Sequence, residues 1–239
     1  MATSLAYNPR TYNNLPNMRE AYDTFKAKSA QKFLDGEILT LFDRYPEARN
    51  KFGLQLLYRN FHMGPNEILV EVERTSTPWN TKQLGGADQA TVRQGRVVPN
   101  CFVLSPGFQA NTIKAEPHRF RYMLNGDEPI ASPTEKENQP FLRGLLDILQ
   151  KHGLTDVLGL VALSPELKHP RRGGNAEQPR WMWEKTFGRA NILFPITKKT
   201  NDLIGVMFVF IPANAAAGVS AHCFSPCLCT APGWDGFDE

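Results

Sequence analysis

Between Asn17 and Tyr45 apolar side chains return mostly every three or four residues, at Met18, Tyr22, Phe25, Phe33, Leu34, Ile38, Leu41, Phe42 and Tyr45, the spacing of an amphipathic helix. Gly36 offers a place for that helix to divide, and Pro46 is expected to stop it. The period then changes to two. Leu54, Leu56, Tyr58, Asn60 and His62 share one face of an expected strand over 54–62, while Gln55, Leu57, Arg59 and Phe61 share the other. Gly64-Pro65-Asn66 supplies a turn, and Ile68, Val70 and Val72 alternate with Glu67, Leu69, Glu71 and Glu73. The two runs therefore read as a hairpin with its second strand half exposed.

Residues 80–96 hold Gly85, Gly86 and Gly95 and few large apolar side chains, which predicts a long loop and a candidate lid. Strand signals return over 97–104 and 119–124, with Ser105-Pro106-Gly107 as a turn between them and a short strand expected near 110–113. Pro140 sits where a first helical turn accepts proline. Phe141, Leu142, Leu145, Leu146 and Leu149 then form an apolar stripe, and Gly153 follows as a C-terminal cap. The uninterrupted apolar run 157–163 is too short for a helix and predicts a central strand. A basic, glycine-bearing loop over 169–179 comes next, and 181–186, 190–196 and 203–211 supply further strands. The sum is an α+β fold, with a largely antiparallel sheet of roughly eight strands and two substantial helices.

A chain of 239 residues with 41% hydrophobic positions buries a sizeable core, which excludes global disorder and a disulfide-stapled miniprotein. The expected division is an N-terminal tail over 1–16, a single α+β domain over 17–212 and a C-terminal tail over 213–239. The formal net charge of +3 gives no electrostatic case for a nucleic-acid partner. No basic cluster followed by an apolar stretch opens the chain, so the expected compartment is cytoplasmic. A charge-free stretch over 203–234 raises the question of a membrane span. Only 203–211 of it is strongly apolar, however, and Pro212, Ala213 and Asn214 follow at once, as after a buried strand.

His222, Cys223, Cys227 and Cys229 gather four soft-metal ligands in eight residues, but no second Cys/His pair with suitable spacing exists to complete a site. The expectation is no metal and a mobile tail with incidental thiols. Cys101 lies in an apolar strand, where burial raises a thiol pKa, and reads as core. No nucleophile elbow, phosphate-binding glycine loop, dinucleotide fingerprint or zinc-binding His pair is present. Polar residues set on strands are more informative. His118, Phe120 and Tyr122 share one face, Arg119 and Arg121 the other, and Glu184 lies between Trp183 and Lys185. If these faces converge, they enclose an apolar, aromatic space with a few hydrogen-bonding groups, the usual make-up of a small-molecule site; the alternative is a set of unrelated surface polar groups.

Five segments resemble a family of largely uncharacterised proteins of filamentous fungi: Phe52-Gly-Leu-Gln-Leu-Leu-Tyr-Arg-Asn-Phe-His62, Thr75-Ser-Thr-Pro-Trp79, Glu116-Pro-His-Arg-Phe-Arg121, Leu154-Thr-Asp-Val-Leu-Gly-Leu160 and Glu184-Lys-Thr-Phe-Gly-Arg-Ala-Asn-Ile192. They span the chain from Phe52 to Ile192. The family pattern has a second histidine near the start of the His62 motif, where this chain has Tyr58 and Asn60, and the end after Gly218 diverges from it. Some proteins of this kind are encoded near gene clusters for specialised metabolites. The resemblance thus implies a cofactor-independent cyclase or isomerase, a Diels–Alder-type pericyclase being one case, acting on a hydrophobic terpenoid or polyketide intermediate. Such an enzyme holds the reacting ends together and stabilises charge that grows in the transition state. The expected catalytic residues are His62, Arg121 and Glu184, with Tyr58, Phe120 and Trp183 as substrate-binding walls. The alternative is a non-enzymatic binding protein for a small molecule or a metal.

Overall fold

A computed structural model describes residues 7–82, 95–108, 112–164, 181–196, 203–211 and 222–230. The fold is α+β. Among the described residues six helices, α1 (Pro9–Asn13), α2 (Met18–Ala27), α3 (Ala30–Phe33), α4 (Leu39–Arg44), α5 (Pro46–Lys51) and α6 (Gln139–Lys151), accompany ten strands. The strands are β1 (Phe52–Leu56), β2 (Glu67–Val72), β3 (Thr75–Asn80), β4 (Gly95–Pro106), β5 (Ile113–Leu124), β6 (Leu158–Ala162), β7 (Trp181–Phe187), β8 (Ala190–Ile196), β9 (Leu203–Ile211) and β10 (His222–Thr230). They close into a barrel in the order β1-β6-β4-β5-β2-β3-β8-β7-β10-β9. The pairs β2/β5 and β7/β10 are parallel, and every other neighbouring pair is antiparallel.

The first amphipathic stretch forms in pieces. A capping box starts α2: the Glu20 N–H donates to Asn17 Oδ1, and the Asn17 N–H donates to Glu20 Oε2, each at 3.0 Å. Ser29, with φ 50°, breaks the run, and a π-helical turn over Leu34–Ile38 takes up Gly36 before α4 begins. Pro46 does not end helical structure, because it occupies the first turn of α5, where its missing N–H costs nothing. Helix α6 matches its expected stripe: Phe141, Leu142, Leu145, Leu146 and Leu149 are all buried, and Gly153 turns the chain at φ 61°.

The expected hairpin of 54–62 with 67–73 is corrected. Strand β1 ends at Leu56 and pairs with β6 and β9, while β2 pairs with β3 and β5. The expected tails are corrected too, since α1 lies within 1–16 and β10 within 213–239, where it pairs with β9 and β7. Of the expected lid over 80–96, residues 83–94 lie outside the described residues, as does the whole of the basic loop over 169–179. Among the described residues no helix is long and apolar enough to cross a membrane, and Leu203–Ile211 is β9.

A closed sheet has two faces. On β1, β6 and β9 the side chains of Phe52, Leu54, Leu56, Leu158, Leu160, Phe208 and Phe210 join those of α2, α4 and α6 in the main core. Barrels of about eight to ten strands enclose room for side chains or one small ligand, not for three helices, so this face is the outer one. The opposite face, carrying Gly53, Gln55, Gly159, Val161 and Met207, is the inner one. Cross-strand partners carry that face around the sheet: Val161 faces Cys101, Cys101 faces Arg119, Arg121 faces Glu71, Glu71 faces Ser76, Ser76 faces Asn191 and Asn191 faces Thr186.

Candidate functional site: a charged layer inside the barrel

Five of the ten buried polar residues among those described fall on this inner face: Gln55, Ser76, Arg119, Glu184 and Asn191. The faces of β5, β2 and β7 contribute Arg119, Arg121, Glu71 and Glu184, two positive and two negative groups. Arg121 Nη2 lies 3.7 Å from Glu71 Oε1, and Arg119 Nη1 lies 3.8 Å from Glu184 Oε1. Charges as deep as those of Arg119 and Glu184 persist only when paired and hydrogen-bonded, and their ion pair meets the first condition, whereas Arg121 and Glu71 are only partly enclosed.

Hydrogen bonds meet the second. Glu184, 5% exposed, accepts from the Tyr58 hydroxyl at 2.5 Å on Oε2. On Oε1 it accepts from the Asn191 amide and from the Asn60 amide, the latter at 3.2 Å. Asn60 Nδ2 also lies 3.1 Å from both Thr186 Oγ1 and Asn191 Oδ1. Arg119 Nη2 donates to the Tyr58 carbonyl at 3.3 Å and to Asn60 Oδ1 at 3.2 Å, and its guanidinium carbon stands 4.7 Å from the centre of the Tyr58 ring. Burial works against the Arg119 charge, but Tyr58, Glu184, Tyr12 and Cys101 around it more than compensate and raise its pKa above the ordinary value.

The chain leaving β1 makes this possible. Leu57 anchors to the Val157 carbonyl, Arg59 donates its N–H to the Pro16 carbonyl, and residues 58–60 turn across the barrel end instead of continuing as a strand. Tyr58 is fully buried and Asn60 reaches β5, β7 and β8 at once.

On β4 and β5 the register slips on either side of the Cys101–Arg119 pair, leaving Asn100 and His118 without direct partners in the ladder. Both are buried. Asn100 Oδ1, both ring nitrogens of His118, Gln55 Oε1 and Arg119 Nε make no hydrogen bond among the described residues. Burial, reinforced by Arg119, pulls His118 down to about 3, and burial pushes the Cys101 thiol up to about 12. A histidine neutral in the fold but near 6.5 when unfolded lets the unfolded chain bind the extra proton between those values. Stability should therefore fall as pH drops from about 6.5 toward 3, contributing up to about 1.4 kcal/mol per pH unit. Urea midpoints across that range should flatten in His118→Leu; equal pH slopes for the two proteins would refute the assignment.

Of the residues expected from sequence, the fold joins Tyr58 to Glu184 and leaves the others apart. His62 is exposed and offers its carbonyl to Arg189 at 3.2 Å, because 57–62 is not a strand whose alternation would turn the ring inward. Phe120 packs with Ile68, Val70 and Tyr7 on the outer face. Trp183 alternates with Glu184 and so faces away from it, its ring 5.9 Å from that of Phe194. Arg121 shares the inner face but pairs with Glu71, and Arg119 is the guanidinium that meets Glu184. Asn60 and Arg119 stand out in the sequence only as polar positions on strand faces, without a role, and Thr186 and Asn191 do not stand out, although Glu184, Thr186 and Asn191 on two adjoining strands carry the signal of an inward polar face.

The backbone of the C-terminal His/Cys group is β10, not a mobile tail, and its side chains lie outside those described. Among the described residues no group of three or more His, Cys, Asp or Glu side chains is arranged to hold a metal ion. No protein-family model, curated protein or solved structure matches the chain.

Proposed function

We propose that the barrel interior is the active site of a cofactor-independent isomerase or cyclase in which Tyr58 and Glu184 move a proton. The observation that carries the reading is the 2.5 Å hydrogen bond between the two, buried beside the Arg119 guanidinium. In the reaction, Glu184 takes a proton from a substrate carbon and Tyr58 gives its proton to another substrate position. The proton on Glu184 then passes along the hydrogen bond to the Tyr58 phenolate, and the pair is restored with no net gain or loss. Arg119, over the ring, stabilises the transient phenolate, which is where an arranged cation lowers the barrier most.

The inner face also offers an apolar sector, Cys101, Val161, Leu163 and Val209, next to the charged layer. An apolar molecule bearing a carbonyl matches both parts, as a terpenoid or polyketide intermediate of fungal specialised metabolism does. Because the four charges already balance, an uncharged substrate fits better than an anion.

The test is conversion of a panel of carbonyl-bearing terpenoid and polyketide precursors, followed by chromatography and mass spectrometry. Wild type should yield an isomeric product of unchanged mass. Glu184→Gln and Tyr58→Phe should slow it by about 10²–10⁴-fold with circular dichroism unchanged, and His62→Ala should leave it intact. Wild-type rates in both Glu184→Gln and Tyr58→Phe would overturn the reading.

A further inference from the structure

One end of the inner face is closed by the chain's own N-terminal residues. Tyr12, fully buried, and Leu15 form a small apolar cluster with Leu57, Met63 and Leu69, and Val103 packs against it. Leu57, Leu69 and Val103 each lie two positions along their chain segments from inner-face residues, Gln55, Glu71 and Cys101, so the cluster fills the barrel beyond the charged layer. Helix α1 is only five residues long, far below the length at which a helix holds itself together in water, and tertiary contacts alone keep it in place.

Those contacts run largely to one segment, 57–63. Asn13 Nδ2 donates to the Met63 carbonyl at 2.9 Å, and the Met63 N–H donates back to Asn13 Oδ1 at 2.8 Å. The Arg59 N–H donates to the Pro16 carbonyl at 2.9 Å, and its guanidinium to that of Leu15. The sheet is held through Thr11 and Glu116. Asn60 joins both systems: its N–H donates to the Tyr12 hydroxyl at 3.0 Å, while its side chain sits among Glu184, Asn191 and Arg119.

We infer that residues 9–17 are a removable plug, released from the 57–63 segment as a local unit to admit a small molecule to the barrel. Its small apolar cluster, separate from the main core, makes this the unit that opens below the free energy of global unfolding. Release also frees Asn60 from Tyr12, so opening loosens the hydrogen bonding around Glu184. The inference rests on the barrel as a ligand chamber, but its test does not depend on turnover.

Cys101, buried on the inner face, is the reporter. Alkylation by iodoacetamide at pH 8 is followed by peptide mass spectrometry, so that labelling of Cys223, Cys227 and Cys229 is counted separately. Wild type should label slowly at Cys101. Asn13→Ala, which removes both Met63 hydrogen bonds, should label about tenfold faster, with a rate nearly independent of low urea, as local opening requires. Tyr12→Phe, retaining the ring, should give a smaller increase. Fast labelling in wild type would overturn the plug, because the chamber would then be open with α1 seated. So would equal rates in all three proteins, or a urea dependence equal to that of global unfolding. Loss of the proposed isomerase activity with plug behaviour intact would overturn only the functional reading.

Discussion

Glu184→Ala should destabilise the folded protein by about 3–5 kcal/mol, the usual cost of removing one partner of a buried ion pair. The cause is what remains. Arg119 would keep its buried charge with the Tyr58 and Asn60 carbonyl oxygens as neutral acceptors, and water would have to enter the barrel to solvate it. Tyr58 would lose the acceptor of its hydroxyl, and the amides of Asn60 and Asn191 would lose theirs on Oε1. Glu184→Gln should cost less, because an amide keeps the shape and one acceptor oxygen. Urea unfolding followed by circular dichroism ranks the two; equal midpoints for Glu184→Ala and wild type would mean that Arg119 is not held by this carboxylate.

A comparable effect is expected far from the charges. Phe42 of α4 stacks on Phe210 of β9 with ring centres 4.0 Å apart, and meets Phe141 of α6 at 4.8 Å, so one ring bolts two helices to the barrel wall. All three rings are buried. Phe42→Ala removes the transfer free energy of a phenyl group and leaves a hole between layers that cannot collapse together, at a cost of about 3–5 kcal/mol. Phe42→Leu should cost a smaller part of that. A midpoint for Phe42→Ala within experimental error of wild type would show that the helical layer packs elsewhere.

Sequence periodicity foretold the elements whose fate is decided locally. The α6 stripe, with proline at its start and glycine after its end, and the uninterrupted run of β6 both stand where expected, because helix faces and doubly buried strands write themselves into adjacent residues. Strand β3 did not announce itself: Pro78 and its Ser/Thr neighbours look like a turn, yet Pro78 lies opposite Leu69 beyond the two positions that pair with β8. Barrel closure was hidden for a different reason. Strand β1 pairs with β6 and β9, partners more than a hundred residues away, and no local pattern encodes such a pairing.

The site was legible in the same uneven way. Tyr58 and Glu184 were named, but their meeting depends on the chain leaving the sheet after Leu56, which strict alternation would deny. Arg119 and Arg121 share a face and are indistinguishable by spacing. What separates them is that Arg121 stands opposite Glu71 on β2 while Arg119 stands opposite Cys101 on β4, beside the slipped register that leaves Asn100 and His118 unpaired in the ladder.

The central claim, that Arg119 and Glu184 form one charge-compensated unit inside a closed barrel, is tested most directly by a double-mutant cycle in urea with Arg119→Met, Glu184→Gln and the pair. The account predicts that the double variant is more stable than the sum of the single losses allows, with a coupling of about 1–3 kcal/mol. Losses that add to within about 0.5 kcal/mol would contradict it, because the two groups would then act independently.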